Sequence, residues 1–270
     1  MRLAVLAGNK LFPLLFIQEA KKNKEVEEII AIGFRKETSS LIEKLADKTY
    51  WLEVGELSRL VKILKKEKIK DCVMVGQISP FRIFKSRKNW DSIMQSIAES
   101  TDWRPHSIFY AIINFLEKEG FYFLDSTIFI KNYLAGKGLM NNVDVDEKLK
   151  EDIHFGVKIA SHFTELDIGQ TIVIKNKAVV AVEAIEGTDN TIKRAYKLAG
   201  KDLVIVKFAK KEQDLRFDVP VVGMLTLKVL KRRAKALVLE KDKVIILEKD
   251  RFLKEAEKYN IAIIGEERYN

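Results

Sequence analysis

A single cysteine, Cys72, stands among the 270 residues. That excludes an internal disulfide and any multi-cysteine metal centre. Cys72 lies in Asp71-Cys72-Val73-Met74-Val75, a buried-strand pattern, where a small thiol is a core filler in preference to a nucleophile. Histidine is scarce too: His154 and His162 fall eight apart on one predicted helix. That is not ligand spacing, and both are read as ordinary helix positions. No apolar run approaches the roughly 20 residues a membrane span requires. Met1 to Ala7 is too short for the apolar region of a signal peptide and is stopped by Gly8-Asn9-Lys10. A cytoplasmic protein is expected. The G-x-G-x-x-G fingerprint is missing, which counts against a dinucleotide oxidoreductase. Arg35 could mimic an NADP clamp, but a surface arginine is the preferred reading. No zinc finger or RNP-type aromatic motif points to nucleic acid.

What is present is an ordinary globular composition, 47% hydrophobic, with a net charge of +9. The positive balance suits an anionic partner, and it also serves solubility. Most cations are interleaved with acids, as in Lys21-Lys22-Asn23-Lys24-Glu25, the mark of a solvated face. One segment mixes cations with aromatics, Phe81-Arg82-Ile83-Phe84-Lys85-Ser86-Arg87-Lys88-Asn89-Trp90. It could rest on an anionic membrane surface, or turn its aromatics inward and leave the cations wet.

Along the first half, strands are predicted at 2–7, 28–34, 50–54 and 71–76. Helical patterns lie between them, at 40–48 and at 56–68, with Leu57, Leu60, Val61 and Leu64 on one face. Strands alternating with helices predict a parallel sheet covered on both sides, a Rossmann-like domain in a loose sense. Two strand exits could admit a nucleotide, Gly8-Asn9-Lys10 and Gly76-Gln77-Ile78-Ser79, because small or polar residues let backbone amides approach a phosphate or base. A helix is expected over 105–119. The Gly- and Asn-rich stretch from Asn132 to Asp146 is the linker candidate. This gives a first domain over 1–132, a linker over 133–146, and a second, mixed-sheet α/β domain over 147–270. The second half should contain a helix over 146–164 and a hairpin turning at Lys175-Asn176-Lys177. Strands near 203–208, 236–239, 244–247 and 261–264 follow, with helices at 189–199, 224–233 and 250–259 between them.

The stretch from Leu166 to Pro220 holds the chemistry. Val179 to Ile185 has the composition of a buried strand. Gly187 then tolerates positive φ, and Thr188 is a good N-cap for a helix burying Ile192, Ala195, Tyr196 and Ala199. Glu183, Glu186 and Asp189 therefore gather around a strand exit and a helix N-terminus, where α/β folds bind ligands and phosphate is favoured. The competing reading is that Glu186 and Asp189 complement the helix dipole and Glu183 faces solvent. Further on, Lys207, Lys210, Lys211, Gln213, Asp214, Arg216 and Asp218 end at Pro220. The proline disfavours helix for Val219 and predicts Asp218 in extended chain. A carboxylate among cations suits a site for Mg²⁺ and a pyrophosphate; a charged surface loop is the alternative.

The runs Leu166-Asp167-Ile168-Gly169-Gln170, Val182 to Asp189 with its E-G-T-D turn, and Lys207 to Gly223 with Arg216-Phe217-Asp218-Val219-Pro220 resemble the UDP-2,3-diacylglucosamine pyrophosphatases of the LpxI type. The likeness extends over most of the chain and is sharp in the second half. It implies metal-dependent hydrolysis of UDP-2,3-diacylglucosamine to UMP and 2,3-diacylglucosamine 1-phosphate for lipid A synthesis, in a cleft between the two halves. By resemblance, Asp218 is the aspartate needed for activity, as metal ligand or water activator. Asp189 is a second catalytic candidate, and Glu183 and Glu186 are further metal ligands for Mg²⁺ or another divalent ion. Substrate-binding candidates are Gly8, Asn9, Lys10, Gly76, Gln77, Gln170, Thr188, Lys207, Lys210, Gln213 and Arg216. The lipid-linked UDP-sugar would place the protein transiently on the inner membrane, and a homodimer stays open. The first half departs from the family pattern. The glycine-richer turn is Gly8 to Pro13 here, G-N-V-x-R-P is replaced by Gly76 to Phe81, and G-D-D by Arg104-Pro105-His106. These changes bear on nucleotide recognition and metal affinity. The alternative function is a non-catalytic nucleotide or phospholipid binder; an NADP-linked oxidoreductase ranks third.

Overall fold

Residues 1–78, 87–102, 104–211 and 213–269 are described by a computed structural model. The chain divides into two units, one comprising Met1–Ile130 with Asp214–Asp218 and the other Lys131–Gln213 with Val219–Asn270. Both are α/β, the first around a parallel sheet and the second around a mixed one.

Unit 1 begins with β1 (Arg2–Ala7), α1 (Phe12–Ala20), β2 (Glu28–Phe34) and β3 (Lys48–Leu52). It continues with α2 (Leu57–Lys66), β4 (Asp71–Val75), α3 (Ser92–Glu99), α4 (Pro105–Lys118) and β5 (Tyr122–Phe123). All pairings are parallel, in the order β3-β2-β1-β4-β5. The period of two divides each strand between the faces. Ala4, Leu6, Ile30, Ile32, Cys72 and Met74 pack in one cluster with the apolar sides of α2, α3 and α4, while α1 packs against β1 and β4. A sheet covered on both faces explains the near-continuous apolar runs. Burial pushes the Cys72 thiol up to about 12, which leaves it inert in the core.

Two elements differ from expectation. The helix predicted over 40–48 is only a 3₁₀ turn, Ser40–Lys44, started by the Ser39 hydroxyl accepting from Leu41 N. Asp47 ends it: its backbone N–H donates to Ile29 O at 3.0 Å, and its carboxylate accepts from Ile29 N at 2.8 Å. Those bonds hand the chain to β3. Residues 92–99, given no element from sequence, form α3 because Asp91 caps it by accepting from Met94 N at 2.9 Å. In the mixed basic and aromatic segment, Phe81 to Ser86 lie outside the described residues. Trp90 is buried in the core of unit 1, and Arg87 and Lys88 are exposed.

Unit 2 contains β6 (Gly138–Leu139), α5 (Glu147–Phe163), β7 (Thr171–Lys175), β8 (Ala178–Val182), α6 (Thr188–Ala199) and β9 (Leu203–Lys207). After these come β10 (Val221–Val222), α7 (Met224–Leu230), β11 (Ala234–Glu240), β12 (Ile245–Ile246), α8 (Lys249–Lys258) and β13 (Ala262–Glu266). The main sheet runs β6-β13-β11-β9-β7-β8, with β9, β11 and β13 parallel and the outer strands antiparallel; β10 and β12 form a separate parallel pair. One face, with Val173, Ile205 and Leu237, packs on α6, α7 and α8; the other, with Ile172, Val206 and Val238, packs on α5. The hairpin turns at Asn176 and Lys177, both at positive φ, as a type I′ connection needs. The strand read as buried over 179–185 ends at Val182 and is the sheet edge, with Val179 exposed. The stretch expected as a linker carries β6, and it is held further by Asn141. That side chain donates to Ile261 O and accepts from Ile263 N, both at 2.9 Å, completing the edge of β13.

Candidate functional site

The candidate residues fall into three groups. In unit 1 the strand order reverses between β1 and β4, the place where ligands enter open α/β sheets. The exits of those two strands are Gly8-Asn9-Lys10 and Gly76-Gln77. They close on each other: Gly8 N donates to Val75 O and Asn9 N to Gln77 O, each at 2.8 Å. A β-carbon on Gly8 would come 2.7 Å from Gln77 O, and one on Gly76, at φ +82°, 2.7 Å from Asn9 O. Glycine is required at both positions by this approach. Asn9 donates to Glu37 Oε2 at 2.9 Å, while its own Oδ1 is buried without a partner. Lys10 and Gln77 are exposed, and Ser79 lies outside the described residues.

The second group assembles in unit 2, at the carboxyl end of β9. The antiparallel register sets the start of β7 and the end of β8 beside it: Thr171 pairs with Lys207, and Glu183 N donates to Thr171 O at 2.8 Å. The loop before β7 is pressed onto Glu183 through Gly169. Gly187, at φ +80°, occupies the N-cap of α6. Thr188, expected as the cap, is instead the first helical residue, and its hydroxyl turns to the site. It accepts from Lys207 Nζ at 2.8 Å, donates to Glu183 Oε1 at 3.1 Å, and lies 3.2 Å from Thr171 Oγ1. Glu183 is buried, and its second oxygen, Oε2, has no hydrogen-bond partner. Beside it, Gln213 Oε1 accepts from Gln170 Nε2 at 3.0 Å and from Lys210 N at 2.8 Å, leaving Gln213 Nε2 buried and unpartnered. Lys210 Nζ reaches Asp167 at 2.6 Å. The site thus holds one buried acceptor and one buried donor without partners, in the unit that carries the α6 N-terminus, which no side chain caps.

Glu186 is differently placed. It accepts from Arg194 Nη2 at 2.6 Å and from Ala184 N at 3.0 Å. Arg194, with those backbone bonds, holds its carboxyl down at about 2. Any metal would compete with that ion pair. Asp189 stands in the first turn of α6, half-buried. His154 bonds Tyr269 and His162 bonds Lys158 O, as ordinary helix residues would.

The third group, Arg216 and Asp218, belongs to unit 1 although it is carried on the second half of the sequence. Arg216 binds Asp214 through Nε and Nη2 and reaches Glu117 Oε1 with Nη1 at 2.8 Å. The Asp214 carboxylate raises the guanidinium above its usual range. Burial works to raise the Asp214 carboxyl, but Arg216 outweighs it and holds it below the usual value. Phe217 packs between His106 (5.1 Å) and Phe109 (5.9 Å), and Ser126 bonds Leu215 O and Arg216 O, both at 3.0 Å. Asp218 closes the turn, its N–H donating to Asp214 O at 2.9 Å, where extended chain was expected. Asp218 is therefore in unit 1, and Glu183 and Glu186 are in unit 2. Among the described residues, no three His, Cys, Asp or Glu side chains gather as a metal cage. Thr171, Gly169 and Arg194 were not singled out from the sequence. Gly169 was visible as the glycine of the Leu166 to Gln170 run, whereas Thr171 reads as one more strand residue.

The family model of the LpxI N-terminal domain matches residues 2–133, and that of the LpxI C-terminal domain matches residues 136–264. The chain belongs to the LpxI family. A relative from Caulobacter vibrioides, UDP-2,3-diacylglucosamine pyrophosphatase LpxI, is 24% identical over 223 residues, covering 78% of this chain and 80% of that protein. Both domain models match in sequence order, so the family likeness covers the first half of the chain as well as the second.

Proposed function

We propose that this chain hydrolyses the pyrophosphate bond of UDP-2,3-diacylglucosamine, releasing UMP and 2,3-diacylglucosamine 1-phosphate in lipid A synthesis, with a divalent ion such as Mg²⁺. The observation that carries the reading is the paired match to both LpxI domains, joined to a relative named for that reaction. The chemistry of the unit 2 site supports it. The unpartnered Glu183 Oε2 is an oxygen ligand of the kind Mg²⁺ takes singly or in pairs, with water and phosphate oxygens filling the other positions. Bound there, the ion would neutralise charge on the transferring phosphoryl group. Glu183 would hold it, with Thr188 fixing the carboxylate. Lys207, Lys210 and Gln213 Nε2 offer donors to pyrophosphate oxygens, and Asp218 is proposed to take the proton of the attacking water. Gly8, Asn9, Lys10, Gly76 and Gln77 would contact the nucleotide. No described helix is long and apolar enough to cross a membrane, and the acylated substrate implies transient docking on an anionic bilayer at the cytoplasmic side of the inner membrane.

The test is UMP release from UDP-2,3-diacylglucosamine. Release should require added Mg²⁺, stop on chelation, and fall by orders of magnitude in Asp218→Asn without loss of fold, because an amide cannot accept the proton. Wild-type protein that binds this substrate yet releases no UMP with any common divalent metal would leave a non-catalytic nucleotide or phospholipid binder as the better reading. The unpartnered Gln213 and Glu183 atoms suit that alternative as well.

A further inference from the structure

Unit 1 contains an apolar cavity that the groups described above do not use. Leu6, Phe34, Leu52 and Met74, from the last two positions of β1, β2, β3 and β4, form one side, and Met94 and Phe109 stand on the helical side. Its volume is about 40 Å³. One water needs roughly 10–15 Å³ on this measure, so about three water-sized groups would fit. The lining is almost wholly hydrocarbon and thioether, which gives water no partners, and apolar cavities of this kind stay dry and accept apolar guests. One wall residue leads towards Asp218, which is proposed above to act on the water. Phe109, part of its wall, stacks on Phe217 at 5.9 Å, and Phe217 immediately precedes Asp218.

We infer that this cavity receives the terminal carbons of one fatty acyl chain of the substrate and sets the chain length the protein prefers. The inference rests on the lipid substrate proposed above. Only a hydrocarbon end enters such a space without surrendering hydrogen bonds to water. Met74 and Met94, unbranched and adaptable, form a wall that yields to a flexible chain. Each methylene buried there raises affinity about fourfold, so filling the cavity should cost about 60-fold for a chain losing three carbons from it.

The probe is cis-parinaric acid, a fluorescent fatty acid with a free hydrocarbon end, displaced by saturated fatty acids of increasing length. Wild type should bind it saturably. Met94→Trp, which fills the cavity, should weaken binding by about 60-fold and favour shorter competitors; Met94→Ala, which enlarges it, should favour competitors longer by a few carbons. If the tryptophan variant fails to fold, the alanine variant alone decides. No binding by wild type, or an unchanged length preference in Met94→Ala, overturns the inference. UMP release run alongside separates the two readings. Length-dependent parinarate binding without turnover sinks the hydrolase alone, and turnover indifferent to Met94 sinks the acyl cavity alone.

Discussion

Gly169 lies so close to Glu183 that a β-carbon on Gly169 would meet the Glu183 carbonyl oxygen at 2.2 Å and the carbonyl carbon at 2.8 Å. The obstacle is backbone, which cannot swing aside as a side chain can. Gly169→Ala should therefore push the two loops apart and cost about 1–3 kcal/mol of stability, the usual range for overpacking. Differential scanning calorimetry should show the loss, and UMP release should fall with it as Glu183 shifts. An unchanged melting temperature would mean that the two loops are not in contact.

Thr188 carries a single hydroxyl between a cation and a carboxylate. Thr188→Val keeps the shape and removes both bonds. A hydrogen bond to a charged group is worth about 1.5–3 kcal/mol, so turnover should drop roughly tenfold to a hundredfold, and Thr188→Ser should recover most of it. Equal rates in the valine and serine variants would show that the hydroxyl does not orient Glu183.

Arg268 and Glu240 form a largely buried pair, at 20% and 10% exposure, that grips both backbone groups of Ala209. Glu240 Oε2 accepts its N–H at 2.7 Å, and Arg268 Nη2 donates to its carbonyl at 2.6 Å. Ala209 joins Lys207 to Lys210, so the pair holds both lysines in place. Arg268→Gln should destabilise unit 2 by about 3 kcal/mol by stranding Glu240. With Glu240→Gln as the partner mutation, chemical denaturation of both singles and the double should give a smaller loss for the double than the sum of the singles. Strict additivity would contradict the pairing.

Glu67, at the end of α2 in unit 1, has Tyr50, Lys48 and Arg2 on its carboxylate. The Tyr50 hydroxyl, then Lys48, lowers its pKa from 4.5 to about 2. A carboxyl lowered on folding stabilises the protein fully above its unfolded value and loses that effect as pH falls from 4.5 towards 2. Acid titration of thermal stability should therefore fall less steeply between pH 4.5 and 2 in Glu67→Gln, which is already less stable at neutral pH. Parallel curves would mean the network is absent in solution.

The sequence was informative where a pattern is local. Short apolar runs predicted β1, β2 and β9 almost to the residue, and Asn176-Lys177 marked the hairpin turn. Failures came where distant partners decide. The 40–48 pattern is helical by itself, but Ile29 ties Asp47 down just before β3 begins. The Glu183 to Asp189 run and Gln170, Lys207, Lys210 and Gln213 do meet in one unit. Asp218 and Arg216, read as part of the same stretch, fold into the other. Nothing between Gln213 and Val219 announces that change. It is made by Phe217 against His106 and Phe109, about a hundred residues earlier in the chain.

That five-residue excursion limits how the gene can be recombined. A breakpoint at Ile130, the natural seam, gives the first fragment a vacant socket between His106 and Phe109 and gives the second fragment the aromatic plug. A hybrid made from two relatives would take plug and socket from different parents. Its success would then hinge on whether Phe217 and its ring neighbours agree, more than on the similarity of either half.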